Sequence, residues 1–330
     1  MKLTTRVLIV KLAALGDAIM ASTLVPAIRT RWPLAHVTWV AGRRIAPVVR
    51  LLDGIDSVIE VHETALLNGN TMQAGAALIS AWRRIGRNYD VALIAHTDKR
   101  YAWLSRLSGA STTHRFADQL GPRDGKWHGS EYLRLLGNDA ASAAEFATFR
   151  VSALPPAPHV PGSGPLVVVV PGGARNVLRD DALRRWPIAS WTATVGELIA
   201  SGYRVASVGD VSDAPEGALC AQAGATDFTG RTTLLELAGI LNAADVVITH
   251  DSGALHLAQL LGRPVVALFG PTVPNERIPH FARTTVVTRA MGLACAPCYD
   301  GHSYADCALN ICLTRAPVAA VIDAVRAFIE

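Results

Sequence analysis

Asp17 stands between two apolar segments in VLIVKLAALGDAIMASTLVPAI, Val7–Ile28, where Lys11 is the only other charged residue. A carboxylate at a helix N-terminus is stabilised there by roughly 0.3–1 kcal/mol. Such a residue can act as a helix cap, or as an ionised base that takes a proton from a reacting hydroxyl. A second stretch with chemical potential is THDSGALHLAQLLG, Thr249–Gly262. Asp251-Ser252-Gly253 read as the start of a helix, whose open N–H groups and positive dipole end attract anions. Gly253 lets a ligand approach the backbone, and Ser252 and His256, four apart, share one face. The competing reading makes Asp251 or Ser252 an N-cap and His256 a core residue. In PGGARNVLRDDALRRWP, Pro171–Pro187, Gly172 and Gly173 precede Arg175, Arg179, Arg184 and Arg185. Guanidinium groups can grip phosphate with paired hydrogen bonds, although such a loop can also be merely solvated, and for Arg179 that is the better reading. Finally, Cys295, Cys298, Cys307 and Cys312 are separated by two, eight and four residues. Paired thiolates of this kind hold zinc or iron tetrahedrally, or else they are reduced thiols packing a loop.

Several function classes drop out. No G-x-G-x-x-G follows the first apolar run, no acid ends the second at Ala41, and no P-loop motif occurs, so neither a dinucleotide fingerprint nor a P-loop kinase is indicated. The net charge of +4 comes from 31 basic and 27 acidic residues, without a block of like charge. Together with only 6% aromatic residues, this argues against a nucleic-acid partner. Lys11 and Asp17 interrupt the N-terminal apolar run, against a signal peptide. No stretch reaches the ~18 apolar residues of a membrane span. A cytoplasmic protein with reduced cysteines is expected, and a peripheral contact with a membrane surface stays open.

Elements alternate in a way that can place these residues. Arg6–Lys11, His36–Ala41, Ser57–Val61 and Tyr89–Ala95 read as strands. The spacing predicts helices over Asp17–Arg31, Arg43–Asp53 and about Met72–Ile85 between them, which implies right-handed βαβ units and a parallel sheet. ALPPAPHVPGSGP, Ala153–Pro165, carries five prolines and reads as an interdomain linker. The pattern restarts with LVVVV, Leu166–Val170, the signature of a strand buried on both faces. A helix from Pro187 to Gly202, a strand at Tyr203–Val208, and a Thr233/Glu236 capping box follow. Strands at Asp245–Thr249 and Pro264–Phe269 flank a helix from Ser252 to Leu261 closed by Gly262. In the last helix, Pro317–Ile329, Val318, Val321, Ile322, Val325 and Ile329 lie on one face. The expected architecture is therefore two doubly wound α/β domains, with ligands beyond the strand carboxyl ends and the cleft between the domains as the default site.

Taken together, Lys11, Gly16, Asp17 and Pro26, the segment Pro171, Gly172, Arg184, Arg185, Trp186 and Pro187, the D-S-G-A-L-H of Asp251–His256, and the G-R-P-V-V-A-L-F-G-P-T of Gly262–Thr272 resemble glycosyltransferase family 9, the heptosyltransferases of lipopolysaccharide core assembly. The resemblance covers nearly the whole chain and extends to the cysteine cluster. It implies the GT-B fold, two Rossmann-like domains facing a central cleft: an acceptor domain over residues 1–155, a nucleotide-sugar domain over 156–315, and a helix at 316–330 crossing back toward the first. It implies inverting transfer without a catalytic metal or other cofactor, ADP-L-glycero-β-D-manno-heptose as donor, and a lipopolysaccharide-type glycolipid or glycan as acceptor at the cytoplasmic face of the inner membrane.

By the same resemblance, Asp17 is the general base and Arg184 stands where relatives carry a lysine on the diphosphate. Gly172 and Gly173 contribute to the donor site. Asp251 holds sugar hydroxyls, and Ser252, Gly253 and Ala254 give N–H groups to the diphosphate. His256 matches the motif histidine, and Asp210 or Asp213 is expected to bind the ribose. Lys11 is expected on the acceptor side. After Ala95 relatives often show an acid and a Gln, whereas this chain has HTDKRYAW, His96–Trp103; Lys99 and Arg100 there face an anionic acceptor or solvent. The four cysteines are expected to hold structural zinc or iron if they hold a metal. The alternatives are a nucleotide-sugar epimerase of GT-B-like shape and a non-catalytic two-domain sugar binder.

Overall fold

The computed structural model describes residues 4–118, 125–137, 144–175, 180–301 and 303–330. Arg179 lies outside them. The chain divides after Ala153 into two compact units.

The first unit is built on five parallel strands, β1 (Arg6–Val10), β2 (His36–Gly42), β3 (Ser57–Val61), β4 (Val91–Ile94) and β5 (Thr112–Arg115), in the order β3-β2-β1-β4-β5. Val7, Leu8, Ile9 and Val10 are fully buried because β1 is central and covered on both faces. Each such side chain contributes roughly 1.5–3 kcal/mol.

The expected Asp17–Arg31 helix is two helices, Leu15–Ala21 and Leu24–Arg31. The break falls at Thr23, whose buried hydroxyl lies 3.1 Å from the Met20 carbonyl and 2.8 Å from that of Gly129. A hydroxyl bonded to nearby carbonyls competes with the helical ladder. The expected Arg43–Asp53 helix shrinks to Ala46–Val49. Buried Glu63 accepts the Arg43 and Arg44 amides at 2.8 and 3.2 Å, and so fixes that corner as a turn. Thr71–Ile85 is helical, opened by a reciprocal Asn70/Gln73 capping box. Lys99–Ser105 forms a further helix with Asp98 as its cap.

The second unit holds six parallel strands, β6 (Leu166–Val170), β7 (Arg204–Ser207), β8 (Thr226–Asp227), β9 (Val246–His250), β10 (Val265–Phe269) and β11 (Thr284–Thr288), ordered β11-β10-β9-β6-β7-β8. The Ile188–Ala200 and Leu234–Ala243 helices appear near their expected limits, the latter with its capping box formed. Gly262, at φ 68°, follows the Gly253–Leu260 helix. The proline-rich stretch packs on this unit. The Pro155 carbonyl sits where a Cβ on Gly239 would fall, and Arg204 donates to the Gly164 carbonyl at 2.6 Å. The last helix is Val318–Ile329. Its buried residues Val321, Ile322 and Val325 join the core of its own unit, against the Ile188–Ala200 helix and strands β9 to β11. Among the described residues no helix is long and apolar enough to cross a membrane.

In each sheet the strand order reverses beside the first strand, between β1 and β4 and between β6 and β9. The crevice beyond the carboxyl ends at such a reversal is where open parallel sheets bind ligands. Lys11, Asp17 and His96 follow β1 and β4. Gly172-Gly173 and Asp251–Ala254 follow β6 and β9.

Candidate active site

In the first unit the Lys11 side chain is only 2% exposed, and its ammonium lies 3.1 Å from Asp17 Oδ2, on a carboxylate that is 38% exposed. The ammonium also lies 5.6 Å from the centre of the Tyr132 ring. The Lys11 backbone is fixed from both sides, its N–H on the Val40 carbonyl and its carbonyl under the Trp39 indole N–H. Asp17 is thus presented to solvent on a buried cation. Lys11, expected on the acceptor side, is the partner of Asp17.

His96 was not singled out by residue type. Its ring stacks on buried Tyr101 at 4.0 Å and 8°, and its Nδ1 accepts the Asp98 amide at 2.9 Å. Burial, then the Lys11 ammonium, pushes His96 down to about 3, so the imidazole is uncharged at neutral pH. Burial likewise pushes the Tyr101 phenol up to about 12. Arg100, expected to meet an anionic acceptor, is already engaged. It is bidentate on Asp98, at 2.5 to 3.1 Å, and donates to the Leu67 carbonyl. The Arg100 hydrogen bond holds Asp98 below the usual carboxylate range. Lys99 is exposed.

In the second unit Gly172-Gly173 are bound to the β7 loop by one buried carboxylate. Asp213 accepts the Gly173 amide at 3.0 Å and the Asp210 amide at 3.0 Å, and pairs with Arg175. A Cβ on Gly172 would fall on that carboxylate, and Gly173 sits at φ 86°, which disfavours any side chain. Asp213 is committed in this way, whereas Asp210 is exposed, with its Oδ1 accepting the Ser212 amide at 3.1 Å. His250, the last residue of β9, fastens the other side. Its Nε2 accepts the Trp186 amide at 2.7 Å, so Nδ1–H donates to the Gly172 carbonyl at 3.2 Å. Complete burial pushes this imidazole down to about 4.

Asp251 is buried between two arginines. Arg184 Nη1 lies 3.5 Å from its Oδ2, and Arg277 Nε lies 3.7 Å from the same oxygen. Burial works against the carboxylate charge, but Arg184, Arg277 and His256 outweigh it and hold Asp251 below the usual range. Arg184 also donates to the Tyr304 hydroxyl at 2.6 Å, pairs with Asp181 at 3.5 Å and lies over the Tyr299 and Tyr304 rings. Burial opposes its charge too, yet Asp251, Tyr304 and Asp181 keep it protonated. Arg175 pairs with Asp213, Asp180 and Glu216, and Arg185 with Asp180 at 2.5 Å. The arginine-rich segment is therefore an ion-paired frame, and its described members do not present free positive charge.

What remains open to an anion is backbone. The Gly253–Leu260 helix starts at Ser252, whose hydroxyl lies on Thr249 at 3.1 Å instead of capping the helix. The first-turn N–H groups, which no helix can satisfy internally, point out of that end. Ser252 stands at the N-cap position without a side-chain bond to the helix, and Asp251 before it is buried and held by arginines. His256 is buried in the same helix.

The cysteines sit in the loop before the last helices. Cys312 is buried in the Ile311–Thr314 turn, and the nearness of Cys298, Cys307 and Cys295 adds to the burial that raises its thiol. Cys307 Sγ accepts the Asn310 amide at 3.2 Å, while Cys295 is exposed. Among the described residues, no three His, Cys, Asp or Glu side chains converge closely enough to hold a metal ion.

A sequence model of glycosyltransferase family 9 (heptosyltransferase) matches residues 133–308. The lipooligosaccharide heptosyltransferase 2 of Haemophilus influenzae is 23% identical, over 85% of this chain and 88% of its own length. The solved structure of the E. coli ADP-heptose lipopolysaccharide heptosyltransferase II is similar at a TM-score of 0.73, with 18% identity and 98% of both chains covered. An E. coli heptosyltransferase solved with ADP is similar at 0.71 and 18% identity, covering 98% of this chain and 100% of its own. These likenesses establish the GT-B fold.

Proposed function

The chain belongs to glycosyltransferase family 9, and from that premise we propose that it transfers heptose from ADP-L-glycero-β-D-manno-heptose to a lipopolysaccharide core or related glycan acceptor. The observation that carries the reading is the uncapped Gly253–Leu260 helix at the β6/β9 reversal, beside a buried, ion-paired Asp251. Its amides suit a diphosphate, Asp251 suits sugar hydroxyls, and exposed Asp210 suits the ribose. The first unit supplies the acceptor side, where Asp17 is paired with the buried Lys11 side chain.

In the proposed reaction an acceptor hydroxyl gives its proton to Asp17 as its oxygen bonds to the anomeric carbon. The bond from that carbon to the phosphate oxygen breaks on the opposite face, so the configuration inverts, and ADP leaves with the electron pair. The charge developing on ADP meets helix amides already in place, and the transfer proposed here uses no catalytic metal. Arg184 acts largely by holding Asp251, whose carboxylate and carbonyl each lie 3.5 Å from its Nη1. The reaction belongs on the cytoplasmic face of the inner membrane, with the protein at most peripheral. The four-cysteine site for zinc or iron rests on the spacing of the thiols in the sequence; elemental analysis of purified protein tests it.

The test is incubation of the protein with ADP-L-glycero-β-D-manno-heptose and heptose-deficient lipopolysaccharide. ADP release that requires both substrates, with a heptose mass gained by the acceptor, supports the reading. Isomerisation of the donor alone points to an epimerase. Thermal stabilisation by ADP-sugars with no turnover points to a binder.

A further inference from the structure

His96 is the second residue past β4, and Ala95 before it is still tied to β1 by its N–H on the Val10 carbonyl at 3.1 Å. It therefore stands at the strand-order reversal of the first sheet. The corresponding place in the second sheet, past β9, is filled by Asp251. The two obvious cations of this crevice are taken, Lys11 by Asp17 and Arg100 by Asp98 and the Leu67 carbonyl. His96 differs from both. Because Nδ1 accepts the Asp98 amide at 2.9 Å, the ring proton is on Nε2. The flat stack on Tyr101, whose hydroxyl lies 3.5 Å from the Ala13 carbonyl in the Asp17 loop, fixes the plane of the ring. The residue is partly buried. The charged groups acting on it are Lys11, Asp17, Asp98 and Arg100. An imidazole uncharged at neutral pH supplies a directed donor without contending with Asp17 for the proton.

We propose that His96 is an acceptor-positioning residue: its Nε2–H donates to an oxygen of the glycan acceptor and so orients the attacking hydroxyl toward Asp17. This rests on the transferase reading above. Three variants separate its roles. H96F keeps an aromatic face and loses both polar atoms, H96N keeps an acceptor for the Asp98 amide, and H96Q keeps an N–H near the position of Nε2. With the donor and acceptor named above, kcat/KM for the lipopolysaccharide falls about tenfold in H96F and H96N, the loss of one directed hydrogen bond. H96Q stays within about threefold of the parent, and KM for the ADP-sugar is unchanged in all three. Equal losses in all three variants, an altered donor KM, or no loss in H96F overturns the inference while leaving the transferase reading intact. Absence of transfer by the parent protein overturns both. Independently of activity, nitrogen NMR of labelled protein shows His96 protonated on Nε2 and not titrating between pH 5.5 and 8; a proton on Nδ1 or a titration in that range also overturns it.

Discussion

Replacing His250 by phenylalanine separates two contributions of one buried ring. At pH 7.5 the variant strands the Trp186 amide and the Gly172 carbonyl, which His250 now joins at 2.7 and 3.2 Å. Buried polar groups left without partners cost about 1–3 kcal/mol each. Phenylalanine keeps the edge contact with Trp191, so the second unit loses about 2–6 kcal/mol. The pH dependence runs the other way. His250 titrates near 6.5 when unfolded and near 4 when folded. Its contribution is intact above pH 6.5 and is lost as pH falls toward 4, because the unfolded chain takes up the proton first. Between pH 7.5 and 5 this linkage removes about 2 kcal/mol from the parent and nothing from the variant. The stability gap between them therefore shrinks by about 2 kcal/mol. The linkage contributed by His96 is the same in both proteins and cancels. Hydrogen exchange of peptides spanning Val246–His250, converted to opening free energies at the two pH values, reads the gap directly. A gap that stays the same at both pH values refutes the argument that His250 is held neutral as the fastener of the Gly172 loop.

Asp17→Asn keeps the shape but not the basicity of the candidate base. We expect kcat to fall about 10²–10⁴-fold, with ADP-sugar affinity unchanged by calorimetry; undiminished turnover removes Asp17 from that role. Arg184→Ala leaves Asp251 buried with only part of its compensation, and breaking such a pair costs about 3–5 kcal/mol. A lowered thermal midpoint together with weaker ADP-sugar binding is expected, and unchanged binding in calorimetry argues against Arg184 as part of the donor frame. Gly172→Ala places a methyl group on the Asp213 carboxylate. Thermal scans should show loss of stability in the second unit, with ADP no longer stabilising the protein; a midpoint equal to the parent's contradicts the packing.

The strands were readable because buried parallel strands are nearly continuous apolar runs, as in Leu166–Val170, whose five residues are all buried. Capping boxes are local, so Thr233 and Glu236 announced their helix. Features that depend on distant partners were not readable. The break at Thr23 needs the Gly129 carbonyl, 106 residues away. The arginines of Pro171–Pro187 read as phosphate ligands because their types fit, but Asp213, Glu216 and Asp251 meet them only through the fold. Arg277 carries no local signal, since its partner Asp251 lies on another strand end. His250 left one clue, a polar residue closing an otherwise apolar strand just before Asp-Ser-Gly.

An arginine frame already neutralised by its own carboxylates has a consequence for ionic strength. A site that captures diphosphate with free cations releases condensed counterions and weakens steeply as salt is added. Here Arg175, Arg184 and Arg185 are each matched by an acid within 3.8 Å, so little net field extends beyond a Debye length of about 10 Å at 0.1 M. ADP affinity should consequently stay nearly flat from dilute buffer to several hundred millimolar sodium chloride, as contacts made by short-range amide geometry do.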